Sequence, residues 1–368
     1  MYSLPKHVRS RIIDNVNGLS MHILEAGYED AERPSLLLLH GFPELSYSWR
    51  KVILPLVNEG YHVIAPDQRG YGLTSGWKDN YDGDISEYFI TNIVQDVISL
   101  ICSLQKKTIH CVIGHDFGSF VAAYCSLIRP DIFQSVILMS APFSGPPKIS
   151  NFYEKTDSIH AELENLVPAR KHYQWYFSEK EANNNMLYCS QGLHNFLRAY
   201  YHFKSADWKN NKPFKLDGWS ASSLEKLPRY YIMDAEMGMA ENVEKYMPTK
   251  KEINNCEWLT ESELSHYTQI YKKTGFQGGL NWYRCMVDHN YLKRLQLFSG
   301  LTINIPSYFM AGANDWGIHQ KPGSFEEMFE SACSNMKKPD LIKGAGHWVQ
   351  QEKPKETVDN ILSFIKNL

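Results

Sequence analysis

Val112-Ile113-Gly114-His115-Asp116-Phe117-Gly118-Ser119 is the stretch on which the reading of this chain turns. A mostly apolar run, Ile109 to Ile113, leads into it. Phe120, Val121, Tyr124, Cys125, Leu127 and Ile128 leave it at helical spacing. The pattern is strand, sharp turn, helix. Small residues on either side of the central one, Gly114 and Gly118, let strand and helix approach closely around a strained backbone, as in a nucleophile elbow. The central residue is Asp116 rather than Ser or Cys. A carboxylate nucleophile suits attack on sp3 carbon, and the ester it forms must then be hydrolysed. An Asp in such a turn also serves as a plain helix cap, so the meaning of Asp116 depends on the rest of the chain.

Towards the N-terminus, Arg9 to Val16 and Leu19 to Glu25 flank Asn17-Gly18, a hairpin signal. Ser35 to Leu39 is apolar without alternation, which fits a strand buried on both faces. It ends at His40-Gly41-Phe42-Pro43-Glu44. Val52 to Val57 reads as a short helix, Tyr61 to Ala65 as a second buried strand, and Pro66 to Gly72 as a structural Gly-rich turn. Ile90, Ile93, Val94, Val97, Ile101 and Leu104 mark a long amphipathic helix over Ile85 to Leu104, and Val136 to Met139 is another strand. Strands alternating with helices predict an α/β fold with a mostly parallel central sheet flanked by helices.

After Ser140-Ala141-Pro142 the alternation stops. Up to about Leu301 the pattern is helical and rich in aromatic residues, among them Tyr173, Trp175, Tyr176, Tyr200, Tyr230 and Tyr231. The α/β pattern resumes at Ile305 to Ala311 and closes with a helix over Thr357 to Ile365. The expected organisation is a core of residues 1–143 and 302–368 with a helical lid, 144–301, inserted between. The stretch from Ala206 to Thr249 is longer than a compact lid needs.

Composition narrows the function classes. With 368 residues, 43% of them hydrophobic, the chain can bury a large core. With a net charge of -3, no basic stripe recommends nucleic acid as a partner and no polybasic segment an anionic membrane, so neither is expected. No apolar signal core stands in Met1 to Ser10, no run is long enough to span a membrane, and Lys366-Asn367-Leu368 is not a peroxisomal address. The seven Cys lack CxxC spacing and read as free thiols in a reducing compartment, so a cytoplasmic location without metal or cofactor is expected.

Three further positions complete a chemistry around Asp116. Asp315 stands at the end of an apolar strand in Ala311-Gly312-Ala313-Asn314-Asp315. His347 follows in Gly344-Ala345-Gly346-His347-Trp348. Nucleophile, acid, histidine is the order of the α/β-hydrolases. His347 would take a proton from water while Asp315 holds its imidazole. The third position is the His40-Gly41-Phe42-Pro43 loop. The backbone N–H groups of Phe42 and Phe117 are candidates for an oxyanion hole, each worth roughly 3 kcal/mol.

On these motifs, together with Tyr173-Gln174-Trp175-Tyr176-Phe177 and Gly279-Leu280-Asn281-Trp282-Tyr283-Arg284, nearly the whole chain resembles an epoxide hydrolase of the α/β-hydrolase fold, of the soluble type without an N-terminal phosphatase domain. The resemblance implies that Tyr173 and Tyr283 hydrogen-bond the epoxide oxygen. The residues alone do not choose Tyr173 over Tyr176. Trp175 and Trp348, beside Tyr173 and His347, are expected to bind substrate. Phe117 departs from the family, which usually has Trp there, but the position acts through its backbone N–H. The expected substrate is a mid-sized, small-molecule apolar epoxide, such as an aryl or fatty-acyl one, with water as co-substrate, and the expected assembly a monomer or homodimer.

A haloalkane dehalogenase shares the Asp nucleophile but needs N–H donors for halide, and neither Phe117 nor Phe42 has one in its side chain. A non-catalytic ligand-binding homologue would be expected to lose part of the constellation, and here all of it is present.

Overall fold

The computed structural model describes residues 4–149 and 156–368; Met1 to Ser3 and residues 150–155 of the expected lid lie outside the described residues. Asn17 and Gly18, with φ of 48° and 82°, supply the left-handed conformations that a tight hairpin demands. They join β1 (Arg9–Val16) to β2 (Leu19–Ala26) in antiparallel register. The chain continues through β3 (Ser35–Leu39), α1 (Ile53–Asn58), β4 (His62–Pro66), α2 (Ile90–Ser103), β5 (Cys111–His115), α3 (Phe117–Ile128) and β6 (Val136–Met139). After the insert come β9 (Ser307–Gly312), α14 (Ser324–Glu327), β10 (Asp340–Ile342), α15 (Val349–Glu352) and α16 (Pro354–Ile365).

One 8-stranded sheet results, in the order β1-β2-β4-β3-β5-β6-β9-β10. Only the β1–β2 and β2–β4 pairs are antiparallel; from β4 onward neighbours run parallel. Such strands are covered on both faces, and Leu36, Leu37, Leu38 and Leu39 are fully buried. Each contributes about 2 kcal/mol of apolar burial. The register brings the carboxyl ends of β3, β5, β6 and β9 to one edge, where His40-Gly41, Asp116, Ser140 and the Asp315 loop emerge side by side.

The insert comprises α4 (Thr156–Glu164), β7 (Arg170–His172), α5 (Tyr173–Ser178), α6 (Ala182–Leu187), α7 (Leu193–Lys204), α8 (Ala221–Leu224), β8 (Ile232–Asp234), α9 (Met239–Glu244), α10 (Lys250–Asn255), α11 (Glu261–Thr274), α12 (Gln277–Val287) and α13 (His289–Leu295). It is not purely helical: β7 and β8 pair antiparallel, with Arg170 and Asp234 in an ion pair across them. Three-residue strands carry too short a pattern to be read from sequence. The insert is fastened to the core by Arg50 Nε to Glu263 at 2.8 Å, by the Ser48 and Tyr267 hydroxyls at 2.7 Å, and by Tyr201 Oη donating to Pro43 O at 2.8 Å.

The long helix expected from Ile85 begins instead at Ile90. Phe89 is extended (φ −60°, ψ 142°) and stacks on Tyr291 of α13 at 4.6 Å. The freed Ile90 N–H donates to Tyr291 Oη at 2.7 Å, so a residue some two hundred positions away sets the helix start. The last helix gains a turn, starting at Pro354, whose fixed φ suits a first helical position.

Close approach at the elbow is literal. A Cβ on Gly114 would sit 1.9 Å from Gly118 O, and one on Gly118 would sit 2.1 Å from Leu39 O. Both obstacles are backbone. Gly118→Ala should therefore cost about 3 kcal/mol of stability by overpacking, seen as a lowered midpoint in denaturant unfolding, whereas Ala122→Gly on the same helix should cost about 1 kcal/mol.

Candidate active site

Asp116 sits between β5 and α3 with φ 54° and ψ −118°, outside the ordinary regions for an L-residue. Its N–H is held by Met139 O at 3.2 Å and its carbonyl accepts from Ser119 N–H at 3.0 Å. The side chain is thereby turned out at the sheet edge, 15% exposed in an otherwise sealed neighbourhood. Gly41 makes this possible, because a Cβ there would lie 2.3 Å from Asp116 Cβ. Phe42, next along, donates its N–H to Asp116 Oδ1 at 3.0 Å. The Phe42-Pro43 bond is cis. Phe117 is the first residue of α3, where a backbone N–H has no intrahelical acceptor.

His347 Nε2 lies 3.3 Å from Asp116 Oδ2. On the other side of the ring, Nδ1 is 3.1 and 3.2 Å from the two oxygens of Asp315. Nδ1, facing a carboxylate, carries a hydrogen, and Nε2, which faces the second carboxylate here, is the nitrogen that can act as a base once Asp116 is no longer an anion. Asp315 is fixed in turn by Gly317 N–H at 2.7 Å. Burial opposes charge on both aspartates. For Asp116 the opposition is more than offset by the His347 hydrogen bond and charge, then by Lys204 and His115, so its carboxyl is held below the usual range and stays ionised. For Asp315 the offset comes from His347 and from the Gly317 N–H.

Behind this triad His115 Nδ1 lies 2.6 Å from Glu44 Oε2, and its Nε2 lies 2.7 Å from His347 O. Both partners are acceptors, so both ring nitrogens carry hydrogen and His115 is an imidazolium. Desolvation works against that charge, and Glu44 overrides it, raising the His115 pKa. Glu44 also accepts from the amides of Gln350 and Gln351, at 2.9 and 3.0 Å, which satisfies the buried carboxylate.

Tyr173 and Tyr283 come from α5 and α12, and their rings meet edge to face at 5.9 Å. Tyr283 packs on Phe117 at 4.6 Å and on Phe42 at 5.4 Å, directly over the nucleophile loop pair. Burial, then the Asp116 charge, raises both phenols above their ordinary pKa, so both are protonated donors. Tyr173 Oη currently donates to Gln320 Oε1 at 2.8 Å. Tyr176, the alternative, points away: its hydroxyl bonds Asn185.

The profile of the alpha/beta hydrolase fold family matches residues 34–354. Epoxide hydrolase A of Mycobacterium tuberculosis is 31% identical over 366 residues, covering 97% of this chain and 97% of that protein. The chain belongs to the α/β-hydrolase family, among its epoxide hydrolases. Epoxide hydrolase 3 of Siraitia grosvenorii is 29% identical, covering 95% of this chain and 96% of the relative. Among solved structures, the epoxide hydrolase from an endophytic Streptomyces superposes with a TM-score of 0.79 at 25% identity, covering 99% of this chain and 96% of that one. Potato (Solanum tuberosum) epoxide hydrolase I gives 0.74 at 28% identity, with coverage of 98% and 100%. The chain is thus a hydrolase, and no helix among its described residues is long and apolar enough to cross a membrane.

Within this epoxide hydrolase family member, the structure draws Asp116, His347, Asp315, Phe42, Phe117, Tyr173 and Tyr283 together. The two tryptophans stand elsewhere. Trp348 is 0% exposed, behind His347, with its Nε1 donating to Tyr201 O at 2.8 Å, so it offers no surface to a substrate. Trp175 packs within the insert against His160 and His172, at ring distances of 3.5 and 4.7 Å. Trp175 lies two residues after Tyr173 on α5, where residues two apart face different sides.

Sequence reading also passed over Lys204. The residue is 3% exposed. It stands over the rings of Tyr231 and Trp348 at 5.3 Å, Tyr200 at 5.5 Å and Tyr230 at 5.7 Å. Burial lowers its pKa against the pull of Asp116 and Asp315. No motif announces it; only the fold brings those rings together.

Proposed function

We propose that this protein adds water to apolar epoxides to give vicinal diols through a covalent Asp116 ester. The observation that carries the proposal is the convergence of two protonated phenols, Tyr173 and Tyr283, over a carboxylate at the elbow. We take the insert, residues 144–301, to be the lid over a core of residues 1–143 and 302–368. In this reading Asp116 Oδ1, held by Phe42 N–H, becomes the ester carbonyl oxygen, and Oδ2 attacks the epoxide carbon from the back side. The C–O bond of the ring breaks, and a tyrosine proton goes to the departing oxygen, which stays attached to the product. Water, deprotonated by His347, then adds to the ester carbonyl carbon. The oxyanion on Oδ1 is met by the N–H groups of Phe42 and Phe117; its collapse breaks the bond from the carbonyl carbon to Oδ2, which leaves in the diol with the proton from His347, and the proton remaining on the regenerated Asp116 acid restores the tyrosinate.

The dehalogenase alternative wants side-chain N–H donors for halide beside the nucleophile. Phe117 has none, and the indole N–H of its neighbour Trp282 is committed to Arg69 O at 3.0 Å. Aromatic walls from Phe42, Phe177 and Phe117 around Tyr283 favour an aryl or fatty-acyl epoxide. The seven cysteines are free, four of them buried, which favours a reducing compartment, and we place the enzyme in the cytoplasm.

The test is a single turnover in heavy-oxygen water, with an aryl epoxide and enzyme in excess. The label should enter the Asp116 carboxylate and be absent from the first diol, as read by mass spectrometry of the peptide carrying residue 116. Label in the diol with none in Asp116 would rule out the covalent route.

A further inference from the structure

Three backbone N–H groups converge on one carboxylate, that of Glu352 at the end of α15. Gly346 N–H donates to its Oε2 at 2.9 Å and Trp348 N–H to its Oε1 at 3.0 Å, so the same side chain grips the chain on both sides of His347. The third donor, Ala206 N–H at 2.8 Å, comes from the insert, just past the end of α7. That exit segment also reaches His347 directly. His347 N–H donates to Lys204 O at 2.9 Å, and Trp348 Nε1 to Tyr201 O at 2.8 Å. The fit has no slack, since a Cβ on Gly346 would lie 2.5 Å from Ser205 C and 2.6 Å from both Ala206 N and Lys204 O. A little further on, Asn211 O accepts the side-chain amide of Asn314, beside Asp315, at 2.7 Å. The exit of α7 thus touches the loops of both the base and its acid.

We propose that Glu352 is a positioning residue, whose carboxylate pins the His347 loop to the exit of α7 so that the base is aimed while the lid is seated on the core. The proposal rests on the epoxide hydrolase reading of the site. Geometry separates it from simple loop filling. Two of the three donors are the peptides immediately flanking the base, and the third belongs to the other structural unit. A carboxylate is also an odd choice for filling. Burial pushes Glu352 up to about 7, with Asp207 adding to the rise against the three N–H groups. Lys204, His347, Asp315 and Tyr230 are among the titratable groups on the packed elements, and Tyr230 feels the Glu352 charge. With its folded pKa raised, Glu352 costs stability that grows as pH rises from the ordinary carboxylate range to about 7 and stays at its full size above that.

The role predicts a selective defect. Nothing that alkylates, Asp116 and the two tyrosines, touches Glu352, whereas the second step needs His347 aimed at water. In Glu352→Gln one of the N–H groups meets an amide N–H instead of an oxygen. Rapid-quench kinetics with an aryl epoxide should show alkylation within about twofold of the wild type and ester hydrolysis slowed about tenfold or more. The alkyl-enzyme should then accumulate, with kcat and KM falling together. The melting temperature in mildly alkaline buffer should not fall. Glu352→Asp keeps the charge, shortens the reach, and should show a milder form of the same split; it decides the matter by the same criteria if the Gln variant does not fold. Equal slowing of both steps, or no slowing of hydrolysis, would overturn the inference. Failure of the wild type to form any alkyl-enzyme would instead overturn the functional reading on which it rests.

Discussion

His347→Gln should trap the enzyme after its first half-reaction, while Asp116→Ala should not enter it at all. Asp116 Oδ2 is the oxygen nearest His347, and Oδ1 is already held by the Phe42 N–H. A carboxylate so placed needs no base to attack an epoxide carbon, because burial notwithstanding it is ionised. Hydrolysis does need one, since water is a poor nucleophile towards an ester. In the His347 variant diol formation should fall about a thousandfold, roughly 4 kcal/mol, with stoichiometric ester on Asp116 detected by intact-protein mass. Asp116→Ala should reduce diol formation to background and show no mass increase. The pH dependence follows with sign. His347 is the largest of the influences holding the Asp116 carboxyl low. Its removal lets that pKa rise, so alkylation by His347→Gln should be lost at a higher pH than alkylation by the wild type. Rapid diol turnover by the His347 variant at neutral pH would sink this division of labour.

The parts legible in the sequence were those set by local chemistry. Gly114 and Gly118 announce the elbow because nothing larger fits against Gly118 O and Leu39 O. Leu36 to Leu39 announce a doubly covered strand because all four are buried. Asn17-Gly18 announces a hairpin by its left-handed backbone. The start of α2 was not legible, since it depends on Tyr291 arriving from the insert. Nor was the β7–β8 pair, whose strands span only three residues each. At the site, order and spacing could place Asp116, Asp315 and His347 on adjoining loops. They could not show that Trp348 is sealed behind the histidine, that Lys204 is caged by four rings, or that Glu352 holds both flanks of His347. Those depend on how the stretch after Ala206 returns to the core. Its length looked excessive in the sequence, and in the fold its first residues bear on the catalytic loops.

Tyr173→Phe combined with Tyr283→Phe should disable ring opening while sparing the second half-reaction. Each substitution keeps the ring and removes one donor, so packing of the two rings at 5.9 Å survives. On the proposed reading the phenols stabilise charge that develops only as the C–O bond breaks, which places their effect on alkylation and not on substrate binding. Burial and the Asp116 charge keep both protonated. The site would then contain two donors for one developing alkoxide. One phenol can partly cover for the other, so each single change should slow alkylation by about tenfold to a hundredfold, or roughly 1.4 to 2.7 kcal/mol. Tyr173 must also leave Gln320, its partner at 2.8 Å, to reach the substrate, so its removal should cost less than that of Tyr283. With both gone neither phenol is left to donate to the alkoxide, so the double variant should lose more than the product of the singles. Hydrolysis of a preformed ester should proceed within about twofold of the wild type, because His347 and Asp315 are untouched. Stopped-flow alkylation rates of the four proteins form the cycle that measures this coupling. Near-wild-type epoxide turnover by the double variant would overturn the assignment, and halide release from haloalkanes by the unmodified protein would favour the dehalogenase in its place.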